Sequence, residues 1–405
     1  MRVIAQARNA DRATAASARP WPFRTKLGPV PLPPKRVRLW AVAVATIGLV
    51  PIDTAIVNGG GDWPAFWSAG ATVGTPNLVD PARHAAWQAA HGLPNAYFFW
   101  LYPPPDAYLW WPFAQFPMAI GFVANTVLML GLVAIAGLLL TRIFDLAPDV
   151  ALLVAFAWTP ATAPAIIGQN APLALVLALL AIDALRRDRV LEAGLACGLL
   201  MYKPTLALPL LGVLVLRARW RELIIAAAVL VAAYFAGAAA TAGDWQWPTT
   251  WWTQAQPLLA EDLARNADKA ISIPGVIGRL AGLPWWIPDL IAGAIVLLSL
   301  RGLRRAPIAE AGAAACLLAL AVGPRVWGYE AGLMLPILAW AIAGGLSEPW
   351  RTRLVFLAIP MGLLWLVSYY TVVSGVAWVV AAATAMWLWR WRPLGPDPSL
   401  AAAAG

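Results

Sequence analysis

Charge is what this sequence has least of. Only 12% of its 405 residues are Asp, Glu, Lys or Arg, while 61% are hydrophobic and the mean hydropathy is +0.69. Soluble domains carry roughly 25% charged residues, so the shortfall excludes an ordinary soluble domain and points to a polytopic membrane protein. Cysteine and histidine are scarce as well, two of each. Cys197 and Cys316 both fall inside apolar runs, which implies neither a disulfide framework nor a metal site and reads as packing. His84 and His91 stand seven residues apart, a poor spacing for chelation, and read as a solvated stripe on one helix face; no metal is expected. There is no Gly-rich nucleotide loop, no Walker sequence and no Ser/His/Asp set, which argues against ATP-driven transport. No internal repeat is visible, nor any low-complexity tract beyond the Ala-rich tail.

What is abundant is Trp and Pro, 24 and 35 residues. Simple spanning helices do not need so many; interfacial aromatic belts and short or broken helices do. The net charge of +9 does not point to nucleic acid, because nearly all Lys and Arg sit in short clusters between apolar segments, where they set topology. The first 34 residues are polar and rich in Arg and Pro, with no apolar core and cleavage site of a signal peptide. Residues 1–36 are expected to be a disordered cytoplasmic tail, 37–392 the transmembrane domain, and 393–405 a second cytoplasmic tail.

The first apolar run, Leu39 to Val57, follows Lys35, Arg36 and Arg38, so it starts on the cytoplasmic side. It delivers Asn58 to Gly70, NGGGDWPAFWSAG, to the outer side, with Asp62 where a glycine-rich backbone meets water. The first outer loop, 58–107, contains an amphipathic helix (DPARHAAWQAAHG) and closes in YFFWLYPPPDAYLWWPF, an interfacial composition. The next span is expected at Gly121 to Leu140, closing at Arg142.

Later spans follow from the basic clusters: Arg186, Arg187 and Arg189; Arg217, Arg219 and Arg221; Arg301, Arg304 and Arg305; Arg351 and Arg353; Arg390 and Arg392. If each cluster is cytoplasmic, outer turns fall at Gly168 to Asn170, at Lys203, across the late outer loop 244–284, at Pro324 to Glu330 and at Tyr369 to Ser374. That makes about twelve transmembrane helices, with interfacial helices in the outer loops and both termini inside. Val190 to Leu216 decides the count, with only 27 residues between two clusters. One helix would be about 40 Å long and would invert every later cluster, whereas each arm of a hairpin would be only about 18 to 20 Å, short of the roughly 30 Å hydrocarbon core. The hairpin violates less, and puts Lys203 at its tip, in need of an anionic partner.

Each candidate for chemistry has a plainer reading beside it. Asp62 is placed to be a general base, or merely an N-cap of the following helix. Lys203 and Arg325 suit a phosphate, as point charge and bidentate fork; alternatively Lys203 snorkels to the surface and Arg325 pairs with Glu330. Gln169 and Asn170, in IIGQNAP, either bond a sugar or phosphate or satisfy helix-end backbone groups. Asp183 is expected to reach the inner surface with Arg186.

Four segments together resemble glycosyltransferase family 87, the polyprenol-phosphate-mannose-dependent mannosyltransferases of the GT-C superfamily. They are GGDWPAFWSAG; YPPPDAYLWWPFAQFP; the block from GQNAP through MYKPT to LRARWRE; and GPRVWGYE, similar to the family's Pro-x-x-Trp turn, although Gly328, Tyr329 and Glu330 stand where family members usually carry His. With NADKAISIPGVIGRLAG they span most of residues 40–340, and the third block is the most specific. The resemblance implies an all-α GT-C-type fold in the cytoplasmic membrane with its active site facing the outside. By it Asp62 matches the catalytic base, and the positive charge that a leaving phosphate requires adds weight to Lys203 and Arg325 as the donor phosphate site; Gln169, Asn170, Tyr102, Trp327, Tyr329 and Glu330 are the substrate-binding candidates. The implied partners are a polyprenyl-phosphate-linked sugar, with mannose expected, a lipid or glycan acceptor, and membrane lipids; no cofactor is implied. A lipid or sugar transporter, which would show flux across vesicles, and a non-catalytic scaffold of the same fold remain as rivals.

Overall fold

The computed structural model describes residues 61–93, 100–266, 269–281, 286–345 and 369–390. The expected tails, the apolar run Leu39 to Val57 and the cluster Arg351 and Arg353 lie outside the described residues. Among the described residues all regular elements are helical, and the one extended pairing is an isolated antiparallel bridge between Ala270 and Trp327.

The first described helices are α1, Trp63–Ala71, and α2, Pro81–Ala90. Asp80 Oδ1 caps α2 by accepting from the N–H groups of Ala82 and Arg83, each at 3.0 Å, so the expected amphipathic helix starts where an Asx cap allows it. Then come α3, Met118–Phe144; α4, Pro148–Ala157; α5, Thr159–Ile166; α6, Ala171–Arg186; α7, Val190–Leu200; α8, Pro204–Leu216; and α9, Trp220–Ala240. The expected late outer loop contains α10, Trp247–Arg265, and α11, Ile273–Ala281. The chain continues through α12, Trp286–Arg305; α13, Ile308–Val322; α14, Leu335–Trp340; and α15, Tyr369–Arg390.

Among the described residues, helices α3, α9 and α12 are long and apolar enough to cross a membrane, and α4 and α5 are so only taken together, bent by 60° at their break. The 27 residues of α3 reach about 40 Å, a few residues beyond the expected span at each end. The bend falls at Trp158 and Thr159, just before Pro160, whose missing N–H and ring disfavour a continuous helix. Tyr369 to Ser374, expected as an outer turn, is instead the start of α15.

The structure shows Val190 to Leu216 as a hairpin. A Cβ on Gly194 would stand 2.6 Å from Ile225, and one on Gly198 2.7 Å from Val229, so α7 and α9 run parallel at close approach. Arg219, before α9, pairs with Asp188, before α7, at 2.8 Å; both helices therefore start at one end, and α8 must run back between them. Lys203 sits at the tip of two arms of about 16 and 20 Å.

Among the described residues, that same end also collects Arg142 and the clusters at Arg186–Arg189 and Arg301–Arg305. Arg142 pairs with Asp183 at 3.2 Å, Arg187 with Asp183 at 3.0 Å, and Arg217 donates to the carbonyls of Leu303 and Ala306. Guanidinium groups at helix C-termini satisfy carbonyls that have no intrahelical partner. Asp183, expected to meet Arg186, instead pairs with Arg142 and Arg187 at this end, whereas Arg186 donates to the Ile143 carbonyl and faces Asp145.

Helix α13 is buried almost all round, from Glu310 to Ala321. Its alanines, with Gly312, let α6, α8, α12 and α15 approach closely, the packing that helices adopt where lipid offers no hydrophobic drive. Cys197 and Cys316 are buried free thiols within this packing. The outward faces remain apolar: Val127 on α3, Ile224 on α9 and Leu297 on α12 are each more than 60% exposed, a surface suited to lipid.

Candidate active site

At the end opposite the arginines, α1 is fixed by aromatic packing. Trp63 is fully buried, donates its indole N–H to the Met118 carbonyl at 2.9 Å and meets Trp110 edge to face at 6.3 Å. Phe66 contacts Trp110, Tyr102 and Trp100 at centroid distances of 4.9, 5.5 and 5.9 Å. Aromatic pairs at this spacing add to simple burial. The aromatic, proline-containing stretches that resemble an interface thus form the socket in which Asp62 is mounted.

Asp62 occupies the N-cap position of α1 but does not cap it. Its backbone is helical, φ −86° and ψ −6°, and its side chain bonds no amide of the first turn, whereas a capping side chain usually springs from an extended backbone. Instead Asp62 Oδ2 accepts from Gln169 Nε2 at 2.6 Å. The Asp62 N–H donates to the Ile167 carbonyl at 3.0 Å, so the α5–α6 turn holds the residue at two points. Gly61 permits this approach: its φ is +61°, and a Cβ there would stand 3.2 Å from the Ile167 oxygen.

The Asp62 side chain is open to solvent, yet it lies in a recess rather than on a convex surface. The surrounding protein removes enough water to raise the carboxyl pKa. The Gln169 hydrogen bond opposes that rise, Lys269 and Lys203 oppose it further, and Asp262 adds to it. An accessible carboxylate made more basic by partial desolvation is what proton abstraction requires.

Lys203 lies beside this recess. It is 5% exposed, and its Nζ stands 3.3 Å from Glu330 Oε1. Glu330 Oε2 accepts the Trp327 N–H at 3.1 Å, which anchors the carboxylate and, through it, the ammonium. The Tyr102 and Tyr329 rings flank Nζ at 5.7 and 5.5 Å from their centroids. Lys203 is therefore buried and paired rather than snorkelling. The hydroxyl of Tyr102 donates to Asn170 Oδ1 at 3.4 Å, and that of Tyr202 to the Asn170 carbonyl at 3.1 Å. Arg325 binds Asp262 of α10, through Nε at 2.8 Å and Nη2 at 2.5 Å, and lies over the Trp327 ring at 5.8 Å; Glu330, its expected partner, belongs to Lys203.

All nine sequence-derived candidates thus converge on one end of the bundle, linked by these contacts. Asp262, Lys269 and Tyr202 join them without having been singled out. Nothing in the local pattern marks Asp262, which pairs with a residue 63 positions away. Asp106, in the turn Pro104–Leu109, has an Oδ2 with no hydrogen-bond partner, and burial holds its carboxyl well above the usual range. His84 departs from expectation: it is buried, bonded to Ser68 Oγ at 2.9 Å and to the Asn77 carbonyl at 3.2 Å, while His91 ends α2 with its ring stacked on Trp87.

An all-helical bundle with membrane-spanning helices, broken helices and polar residues gathered at one end defines the class: a polytopic membrane protein with an end-facing site. The sequence model of glycosyltransferase family 87 matches residues 100–342, more than half of the chain. The chain belongs to glycosyltransferase family 87, and is accordingly a membrane glycosyltransferase. The match takes in Tyr102, Gln169, Asn170, Lys203 and the segment from Arg325 to Glu330, and begins after Asp62. Neither the curated proteins nor the solved structures gave a match.

Proposed function

We propose that the protein transfers one sugar, with mannose the expected one, from a polyprenyl-phosphate donor to a hydroxyl of a lipid or glycan acceptor, with Asp62 as general base. One observation carries the reading: Asp62 stands at a helix N-terminus yet is held by Gln169 in an open recess, with its carboxylate left for another partner. The acceptor oxygen attacks the anomeric carbon as its proton passes to Asp62. The bond from that carbon to the phosphate oxygen breaks, and polyprenyl phosphate leaves with the electron pair, inverting the configuration. Charge developing on the leaving phosphate needs a fixed cation; Lys203 is nearest to that task, with Arg325 and Lys269 contributing field. The donor brings its own leaving group, so the reaction is written without a cofactor or metal.

Sidedness and span number belong to the same proposal. The described arginine clusters gather at the end opposite Asp62, which under the positive-inside rule supports a site on the outer face of the cytoplasmic membrane, in a bundle of about twelve passes. Synthetic polyprenyl-phosphate sugars offered to the purified protein in vesicles test the reading. Sugar transfer by the wild type, lost in a folded Asp62→Ala variant, supports it; wild-type turnover by that variant removes Asp62 as base, and lipid flux without transfer favours a transporter.

A further inference from the structure

The Asp62–Gln169 contact does more than bring two candidates together. Gln169 is 6% exposed, and its backbone N–H is tied to the Pro164 carbonyl at 2.8 Å, so its side chain starts from a fixed base. The 2.6 Å contact is shorter than an ordinary N–H···O bond, in the direction expected where the acceptor is ionised. Gln169 Oε1, by contrast, is buried with no hydrogen-bond partner. Turning the amide over would set that oxygen against a carboxylate oxygen, two acceptors face to face, so an ionised Asp62 selects the orientation with N–H toward it. The orphaned oxygen is the cost of that choice, since a buried acceptor without a donor is unfavourable.

We infer that Gln169 is the positioning residue of this site: its amide N–H fixes the direction and the charged state of Asp62 and leaves Oδ1 for the acceptor hydroxyl. This rests on the reading of Asp62 as base. The groups facing Asp62 are Lys269 between α10 and α11, Asp262 on α10, Lys203 at the α7–α8 tip, and the rings of Tyr102 and Tyr329, which feel its charge. Among influences that favour the ionised form, the Gln169 bond is the largest, ahead of both lysines. A neutral donor has a further advantage over a cation here. It orients the carboxylate without neutralising it, so basicity is preserved until the acceptor's proton arrives.

The test is kcat and kcat/KM of the full chain in vesicles from about pH 5 to pH 9, for the wild type, Gln169→Leu, Gln169→Asn and Gln169→Glu, with thermal melts to show folding. In Gln169→Leu the Asp62 carboxyl loses the bond that favours its charged form. The acid limb is therefore expected to move up by about one pH unit, with donor KM little changed. Gln169→Asn, one methylene shorter, cannot span the contact and is expected to behave the same; it serves if the leucine variant does not fold. Gln169→Glu is expected to move the limb further, because two carboxyls sharing a site resist double ionisation. A uniform fall in rate at every pH, or an unchanged profile, overturns the inference. Loss of activity in Asp62→Ala beside a wild-type profile in Gln169→Leu sinks only the role of Gln169; activity retained in Asp62→Ala sinks the base itself.

Discussion

The Lys203–Glu330 pair is both a structural element and the proposed phosphate site, and the two roles separate experimentally. The side chains are 5% and 7% exposed and 3.3 Å apart. At an effective dielectric of about 20 the attraction is about 5 kcal/mol. Desolvation offsets much of it, so the pair need not stabilise the fold on balance, but removing one partner leaves a buried unpaired charge at a cost of about 3–5 kcal/mol. Lys203→Met leaves Glu330 with only the Trp327 N–H; Glu330→Gln leaves the ammonium with aromatic rings and an amide. Each single variant is expected to lose stability in that range. The double variant, with no unpaired charge, is expected to lose clearly less than the sum. Thermal or denaturant unfolding in detergent, followed by Trp fluorescence, reads the effect. The folded double variant should nevertheless raise donor KM by about 10- to 100-fold, the worth of one charge-assisted contact. Additive stability losses with unchanged donor kinetics would refute both parts of the reasoning.

Two further predictions concern the mounting of the site. His84 is pushed down to about 4 by burial, with the Asn77 carbonyl opposing. Below the ordinary value of about 6.5 the unfolded chain takes up a proton that the folded chain refuses. Stability is thus full above about pH 6.5 and falls progressively toward pH 4, by about 3 kcal/mol in all. His84→Gln should flatten that slope in unfolding measurements across the interval; an unchanged slope would assign it to other groups. Gly70→Ala would place a Cβ 2.6 Å from the Trp110 carbonyl carbon, so α1 must shift, with an expected loss of about 1–3 kcal/mol and impaired sugar transfer. A variant with wild-type melting and activity would show that this contact does not hold Asp62 in place.

The hairpin and the gathering of arginines at one end were legible because they rest on local signals that resist tertiary override. Arginines between apolar runs mark one end of the bundle, and Arg219 does meet Asp188 there; comparing the 27 residues of Val190 to Leu216 with the bilayer was enough to favour the hairpin. The members of the site were legible in part from their types, since Lys203 beside Pro204 in an apolar stretch needs an explanation. Their pairings were not. Glu330 and Lys203 are 127 positions apart and Arg325 and Asp262 are 63 apart, and no periodicity links such residues. Glu330, five residues from Arg325, would have been the simpler partner, and only the packing of α10 across the loop decides against it. His84 failed for a related reason. The helical spacing puts it on the face of His91, but α2 ends at His91, and the same face upstream is covered by α1 through Ser68.

The most direct test is a structure of the protein with a non-transferable polyprenyl-phosphate sugar bound in lipid. The expected result has the phosphate against Lys203, with Arg325 and Lys269 near it, and the anomeric carbon facing the recess where Asp62 Oδ1 is free. A phosphate bound at the arginine-rich end, or a sugar held out of reach of Asp62, would contradict the assignment of both the base and the phosphate site.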